Sequence, residues 1–286
     1  MTRSVLISGC SSGIGRACAL DLAERGWRVF ATARRDADVA ALRDEGLEAL
    51  PLDVDDPTQI RSTVEAVLER TDGRLDALFN NAGFGQPGAV EDLPREALRA
   101  QFETNLFGAQ ELTRQCLPAM RRRGAGRILF NSSVLGFAAL PYRGAYVASK
   151  FAMEGLADAL RMELRGSGIR VALVQPGPII SRFRDNARIR FERHIHPEAS
   201  AHAGVYRAMA ARFHTPEQAG WITLEAEAVV RKVRHALEHP RPRQRYPVTL
   251  PTYLFGFLRR ILPGSAMDRV LLAATADERR PPRSGT

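Results

Sequence analysis

Tyr146 and Lys150 stand four residues apart in an apolar-periodic run, so on a helix both side chains project from one face. A tyrosine hydroxyl ionises near pH ~10, too high for base chemistry at neutral pH unless a nearby cation favours the phenolate. Lys150 is the cation that the spacing supplies. Of 41 basic residues only Lys150 and Lys232 are lysine. A chain that writes arginine almost everywhere else keeps lysine where a compact ammonium with a movable pKa is wanted. Taken alone, a Tyr-x-x-x-Lys pair is commonplace on exposed helices, so its setting decides. Ser133 closes the segment Asn131-Ser132-Ser133 ahead of the pair, at the end of an apolar run that reads as a strand.

A second constellation lies near the start. Apolar residues 5–7 run into Ser8-Gly9-Cys10-Ser11-Ser12-Gly13-Ile14-Gly15 and then an apparent helix, 16–25. Glycines at 9, 13 and 15 let the backbone turn tightly and approach a pyrophosphate, which the free N–H groups and dipole of a helix N-terminus stabilise. The spacing is neither the common dinucleotide fingerprint nor a P-loop, so an ordinary glycine-rich turn competes until the α/β context is added. The next apolar run ends in Ala33-Arg34-Arg35, where such a fold brings an adenosine ribose. A carboxylate there would bind the 2′-hydroxyl of NAD and repel a 2′-phosphate, whereas Arg34 offers that phosphate a fork of donors. NADP (NADPH) is therefore the expected cofactor and NAD the poorer fit. The plain alternative is a solvated arginine in an arginine-rich chain.

The frame for these residues is legible in the pattern around them. Six β-branched or apolar runs, 5–7, 29–32, 47–54, 75–79, 127–130 and 171–174, alternate with helical periodicity such as Ile60, Val64, Val67 and Leu68. Right-handed crossovers then predict an α/β fold, a doubly wound parallel Rossmann-like sheet with helices on both faces. Tyr146 and Lys150 open a predicted helix over 145–166. After Gln175 the organisation changes. Pro176 and Pro178 break the pattern, and 181–220 has little strand character, which reads as a lid or substrate-binding insertion over about 179–224. A helix over 225–237, a Pro/Arg-rich stretch at 239–247, an apolar-basic segment at 251–272 and a disordered end at 277–286 follow. One domain spanning 1–286 is expected, with a basic extension from about 240.

Across roughly residues 4–236 the chain resembles the short-chain dehydrogenase/reductase family, because several independent motifs fall in order. Residues 8–15 resemble its Thr-Gly-x-x-x-Gly-x-Gly, with Ser8 for the threonine, and Asn80-Asn81-Ala82-Gly83 matches its Asn-Asn-Ala-Gly. Asn105, Ser133, Tyr146 and Lys150 fall on its catalytic tetrad, and Pro176-Gly177-Pro178-Ile179 resembles the segment that holds the nicotinamide. Ser181 stands where the family has another threonine. The resemblance implies cofactor contacts from Gly9, Ser11, Ser12, Gly13, Ile14, Gly15, Arg34, Pro176, Gly177 and Ser181. It implies that Asp53 and Val54 frame the adenine, that Asn81, Ala82 and Gly83 lie on the adenosine ribose side, and that Ile179 offers backbone groups to the carboxamide. Ser133 would polarise a carbonyl, Tyr146 give or take the proton, Lys150 lower the tyrosine pKa while holding ribose hydroxyls, and Asn105 hold a water that completes a proton relay. Residues 176–186 and 245–262 also look like a bacterial group of aldehyde reductases similar to retinol and 17β-hydroxysteroid dehydrogenases. That implies interconversion of a small hydrophobic carbonyl and its alcohol.

Composition weighs against other classes. The net charge of +9 is concentrated at one end, since from Arg231 onward 12 basic residues face 4 acidic ones. The first 230 residues are close to neutral, unlike a nucleic-acid-binding core with its own basic face, so no nucleic-acid partner is expected. A non-catalytic dinucleotide sensor is the rival from another class, and it has no need of an intact Ser-Tyr-Lys set. Cys10, Cys18 and Cys116 are odd in number and lack ligand spacing, which disfavours disulfides and zinc and points to a reducing cytosol. Cys10, beside a helix N-terminus, reads as a small filler rather than a reactive thiol. His194, His196, His202 and His214 fix no third ligand, and no metal is expected. No signal-peptide pattern opens the sequence and no apolar stretch is long enough to span a bilayer. Leu254, Phe257, Leu258, Ile261 and Leu262 make an apolar stripe at helical spacing, with Arg259 and Arg260 outside it. Such a stripe covers the pocket, meets a second copy in a homo-oligomer, or seats residues 251–272 peripherally on a membrane.

Overall fold

The computed structural model describes residues 2–213 and 220–276. Seven strands form one sheet: β1 (Ser4–Ile7), β2 (Arg28–Ala33), β3 (Glu48–Pro51), β4 (Ala77–Asn80), β5 (Gly126–Asn131), β6 (Ile169–Gln175) and β7 (Arg245–Pro247). Their order is β3-β2-β1-β4-β5-β6-β7 and every pairing is parallel. The helices of the first half are α1 (Gly13–Glu24), α2 (Asp36–Asp44), α3 (Pro57–Arg70), α4 (Arg95–Phe102) and α5 (Ala109–Arg123). Then come α6 (Gly144–Glu163), α7 (Phe183–His194), α8 (Ala203–Phe213), α9 (Glu227–Glu238), α10 (Leu250–Ile261) and α11 (Gly264–Ala274).

Alternating strand residues feed two cores, one on each side of the sheet. Val5, Ile7, Val29 and Ala31 pack with Leu22 of α1, Leu42 of α2 and Val233 of α9. Leu6, Phe30, Leu78, Ile128 and Phe130 pack with Val64 of α3, Leu112 of α5 and Met153 of α6. Each fully buried side chain of this kind contributes roughly 1.5–3 kcal/mol, so these two layers rather than loop contacts hold the frame. The chain builds outward from β1 to β3 and then returns to β4 on the other side of β1. At that reversal the loops after β1 and β4 diverge and leave a crevice at the carboxyl ends of the strands, the usual place for a ligand in such a sheet.

The structure departs from the sequence reading in several places. A seventh strand, β7, lies inside the stretch read as Pro/Arg-rich loop, and it pairs through Leu173↔Arg245 and Val174↔Tyr246. Three residues ending in proline carry too little alternation to be seen. β3 stops at Pro51, releasing Leu52, Asp53 and Val54 into the crevice-facing loop. The insertion is mostly helical, as α7 and α8, and its ends are pinned by an isolated bridge between Ile179 and Leu224. Tyr206 of α8 is fully buried, accepting from the Ala89 N–H at 2.8 Å and donating to the Asp92 carboxylate. His202 reaches Glu91 at 2.5 Å and Tyr142 at 3.3 Å, which fastens the same helix to the body of the protein. The segment 251–272 is two helices broken at Pro263. Its expected stripe is also divided: Leu258 and Leu262 pack inward with Phe255, Val134 and Leu135, whereas Leu254, Phe257 and Ile261 point outward with Leu250 and Tyr253. His214 and the end at 277–286 lie outside the described residues.

Candidate active site

Two adjoining clefts open at the crevice, of about 510 and 280 Å³. The larger is lined by Gly9, Ser11, Ser12, Gly13, Ile14, Arg34, Asp53, Val54, Asn81, Ala82, Gly83 and Ser181. The smaller is lined by Ser133, Tyr146, Lys150, Pro176, Gly177 and Ile179, and shares Ile14, Asn81, Gly83 and Ser181 with the first. Of the residues singled out in the sequence, Gly15 and Asn105 lie behind these walls rather than on them.

The glycines are demanded by the shape of the larger cleft. Gly9 has φ +73° and a Cβ there would stand 2.8 Å from the Ala82 Cα. A Cβ on Gly15 would come within 2.3 Å of the Gly9 carbonyl oxygen. The loop is thereby drawn under the start of α1, where Ser12 makes no side-chain cap and the first N–H groups of the helix face the cleft as an anion site. Ser8 earns its hydroxyl by accepting from the N–H groups of Asn81 and Ala82, both at 3.0 Å, and Asn81 Nδ2 donates to the Ser8 and Gly9 carbonyls at 3.0 and 2.9 Å. Asn80 points the other way and anchors to Thr113 Oγ1 of α5 at 2.9 Å. The two asparagines thus tie the loop after β4 to β1 and to a helix. Buried Asn131 Oδ1 has no hydrogen-bond partner among the described residues, and Asn131 lines both clefts. A pyrophosphate-bearing dinucleotide fits this glycine cradle, this helix terminus and this spare acceptor.

In the smaller cleft the expected pair sits on the first turns of α6. Tyr146 is half-buried, packs edge-to-face on Phe183 at 5.3 Å between ring centroids, and has its phenol in hydrogen-bonding contact with Ser133. Ser133 Oγ also accepts from the Leu135 N–H at 3.1 Å, which orients it. Lys150 is buried, donates to the Asn131 carbonyl at 2.6 Å, and lies 5.6 Å from the centre of the Tyr146 ring. Burial pushes the Lys150 ammonium down to about 8, against the Glu154 carboxylate one turn along α6. Burial likewise pushes the Tyr146 phenol up to about 12, with Ser133 opposing. The protein's own groups therefore keep the tyrosine protonated, where the sequence reading had the lysine lowering its pKa. Desolvation of the phenol outweighs the hydrogen bond with Ser133.

Asn105 lies within a π-helical turn, Glu103–Gly108, between α4 and α5. Its Oδ1 accepts from the Phe84 N–H at 3.0 Å, and its Nδ2 donates to the Phe84 carbonyl at 3.0 Å and to Ser149 Oγ at 3.1 Å. Both N–H groups are taken, so the side chain braces the loop after β4 against α6. Cys10 is fully buried beside the Ile7 carbonyl, and burial raises its thiol to about 12, as befits a filler. The sequence reading missed Phe183 and the arginines Arg182, Arg190 and Arg193, which the insertion brings onto the larger cleft. Arg190 and Arg193 lie in a polar run, 188–196, which is the one mark the sequence gives of either.

The sequence profile of the short chain dehydrogenase family matches residues 3–190. The chain belongs to the short-chain dehydrogenase/reductase family. It is 45% identical over 271 residues to the oxidoreductase YbbO of Escherichia coli (strain K12), covering 95% of this chain and 94% of that one. It is 38% identical over 193 residues to 17-beta-hydroxysteroid dehydrogenase type 1 of Homo sapiens, covering 63% and 58%. Among solved structures, an actinorhodin polyketide ketoreductase with NADPH superposes with a TM-score of 0.70 at 31% identity, covering 87% of this chain and 96% of that one. As a member of the family the chain is an oxidoreductase with a nicotinamide dinucleotide cofactor and the Rossmann-like sheet described above.

Proposed function

We propose that this short-chain dehydrogenase/reductase uses NADP(H) to interconvert a hydrophobic aldehyde or ketone and its alcohol, within a single Rossmann-like domain spanning 1–286. One arrangement carries the reading: the Tyr146 phenol, in contact with Ser133, stands in a cavity walled by Val134, Leu135, Leu140 and Phe183 and adjoining the glycine cradle. The bound dinucleotide supplies or accepts the hydride. In the reductive direction Ser133 donates a hydrogen bond to the carbonyl oxygen and Tyr146 passes its proton to that oxygen as charge develops there. Lys150, held on the Asn131 carbonyl, keeps a positive charge beside the phenol that offsets the departing proton. Gly9, Ser11, Ser12, Gly13, Ile14 and Gly15 shape the phosphate site. Asp53 and Val54 frame the adenine, Asn81 to Gly83 the ribose side, and Pro176, Gly177, Ile179 and Ser181 the nicotinamide side. Asn105 acts as a brace, which leaves any relay to its main-chain carbonyl. The apolar walls and the steroid named for the human relative support a hydrophobic substrate.

Arg34 supports NADP(H) over NAD(H). The expected preference is at least about tenfold in the specificity constant, about 1.4 kcal/mol, and Arg34→Ala should remove most of it. The test is a screen of NADPH and NADH oxidation over aldehydes and ketones of graded chain length. Tight NADPH binding with no turnover of any of them would favour the non-catalytic sensor instead.

The outward face of α10 bears on where the substrate is met. Leu250, Tyr253, Leu254, Phe257 and Ile261 are exposed in one stripe, the helix has no acidic residue, and Arg260 lies beside the stripe. We read this face as a peripheral contact with an anionic lipid surface. Among the described residues no helix is long and apolar enough to cross a membrane. Co-sedimentation with anionic vesicles should fall on Leu254→Ser/Phe257→Ser and at high salt; undiminished pelleting would return the face to a second copy of the chain.

A further inference from the structure

Several arginines on this surface have a carboxylate: Arg16, Arg25, Arg28, Arg35, Arg114 and Arg188 all sit in salt bridges. The four that line the larger cleft, Arg34, Arg182, Arg190 and Arg193, have none among the described residues. Arg34 at the end of β2 and Arg190 and Arg193 on α7 form no salt bridge among the described residues, although they come from positions some 150 residues apart in sequence, the span from 34 to 190. Arg190 is half-buried, stacked over the Phe84 ring at 4.2 Å, so its place is fixed by packing and not by a counter-charge. Like charges gathered without a partner repel one another. Burial, then Arg34 and then Arg193 push the Arg190 guanidinium below its ordinary value, with Asp55 and Asp53 pulling the other way. The two carboxylates offset only part of this charge, and Asp55 accepts from Thr104 Oγ1 at 3.0 Å through one oxygen and is pushed up by burial. An anion among the three arginines would relieve the repulsion.

We propose that Arg190 and Arg193 of the insertion helix join Arg34 in a three-arginine site for a phosphate on the 2′ position of the cofactor's adenosine ribose. The inference rests on the NADP(H) reading and adds to it that recognition is shared between the sheet and the helix that covers the cleft. Guanidinium forks are suited to a phosphate dianion approached from two sides.

The probes are adenosine 2′,5′-bisphosphate and 5′-AMP, titrated calorimetrically into the whole protein. The wild type should favour the bisphosphate. Arg190→Ala/Arg193→Ala should weaken the bisphosphate by about tenfold or more and 5′-AMP by less than about twofold. Arg190→Lys should recover part of the loss, which separates a missing charge from a displaced helix. If the wild type holds both probes equally, the NADP(H) reading fails and takes this site with it. If the wild type discriminates and the double variant discriminates as well, only the α7 site is overturned. Equal losses for both probes would also overturn it, since they would locate the arginines on the 5′-phosphate or in the general field of the cleft.

Discussion

At the scale of single residues the proposed chemistry turns on half-buried Tyr146 and buried Lys150, whose pKa values move in opposite directions. Tyr146→Phe should lower turnover by about 10²-fold or more while NADPH still binds, because it removes the transferable proton and little else. Single-turnover assays with a calorimetric binding control would check this; near-normal turnover would exclude Tyr146 as the proton donor. Lys150→Arg should also fail, since a guanidinium is too broad for the site under the Asn131 carbonyl. The pH dependence follows from the directions of the shifts. Tyr146, at about 12, is protonated throughout the neutral range, so the carbonyl-reduction limb is set by Lys150, which loses its charge as pH rises through about 8. Turnover in reduction should therefore be level below that pH and fall above it. Glu154→Gln removes the carboxylate that favours the ammonium and should move the fall to lower pH. An unmoved profile would show that Lys150 does not titrate there. By the same linkage the unfolded chain binds more protons than the folded one between about 8 and the ordinary 10.5, so this group's contribution to stability rises with pH over that window. Tyr146, Lys150, Ser133 and Arg34 were legible because their types and spacing imply chemistry. The saturation of Asn105 by Phe84 and Ser149 was not, because a π-helical turn leaves no mark in a hydrophobic pattern.

Elements position these residues through a few specific ties. β7 is short, yet Arg245 reaches from it to Glu154 at 3.0 Å and to Asp158 at 2.6 Å on α6, and Gln175 of β6 donates to the same Glu154 at 2.9 Å. The helix that carries Tyr146 and Lys150 is thus clamped to the edge of the sheet. Arg245→Met strips a buried carboxylate of one partner and should cost about 1–3 kcal/mol, whereas Arg188→Ala, which breaks an exposed pair on α7, should cost under about 1 kcal/mol. Urea unfolding of both variants would test the contrast, and equal effects would mean that β7 does not clamp α6. The six longer strands were readable because their central residues are buried on both faces. β7 was not, since its partners on β6 and α6 lie at least 70 residues away in sequence, a separation that local periodicity cannot register. α7 escaped for another reason: it is strongly polar, buries only Ala187 and Phe191, and so lacks an apolar stripe. That helix spans from Phe183, against Tyr146, to Arg193, on the far cleft. A change at one end is therefore expected at the other.

At the scale of the whole molecule, the cores explain what the surface does not offer. Cys10, Cys18 and Cys116 are all fully buried, and burial raises each thiol. None should react with an aromatic disulfide reagent in the native protein, and all three should react in denaturant; rapid labelling of the native state would reveal opening of the cores. Net charge was informative only through its distribution, because the basic excess belongs to the residues from Arg231 onward. The sheet itself ends, on both sides, in a strand that closes with proline: β3 at Pro51 and β7 at Pro247. A proline cannot donate to a neighbouring strand, and edges of four and three residues offer it few groups. Among the described residues, copies of this chain thus meet only short, proline-ended edges along which to extend a sheet. Crowding or mild heating should yield, if anything, amorphous aggregates rather than fibrils, with no rise in thioflavin fluorescence, and contacts between folded copies are left to the helices.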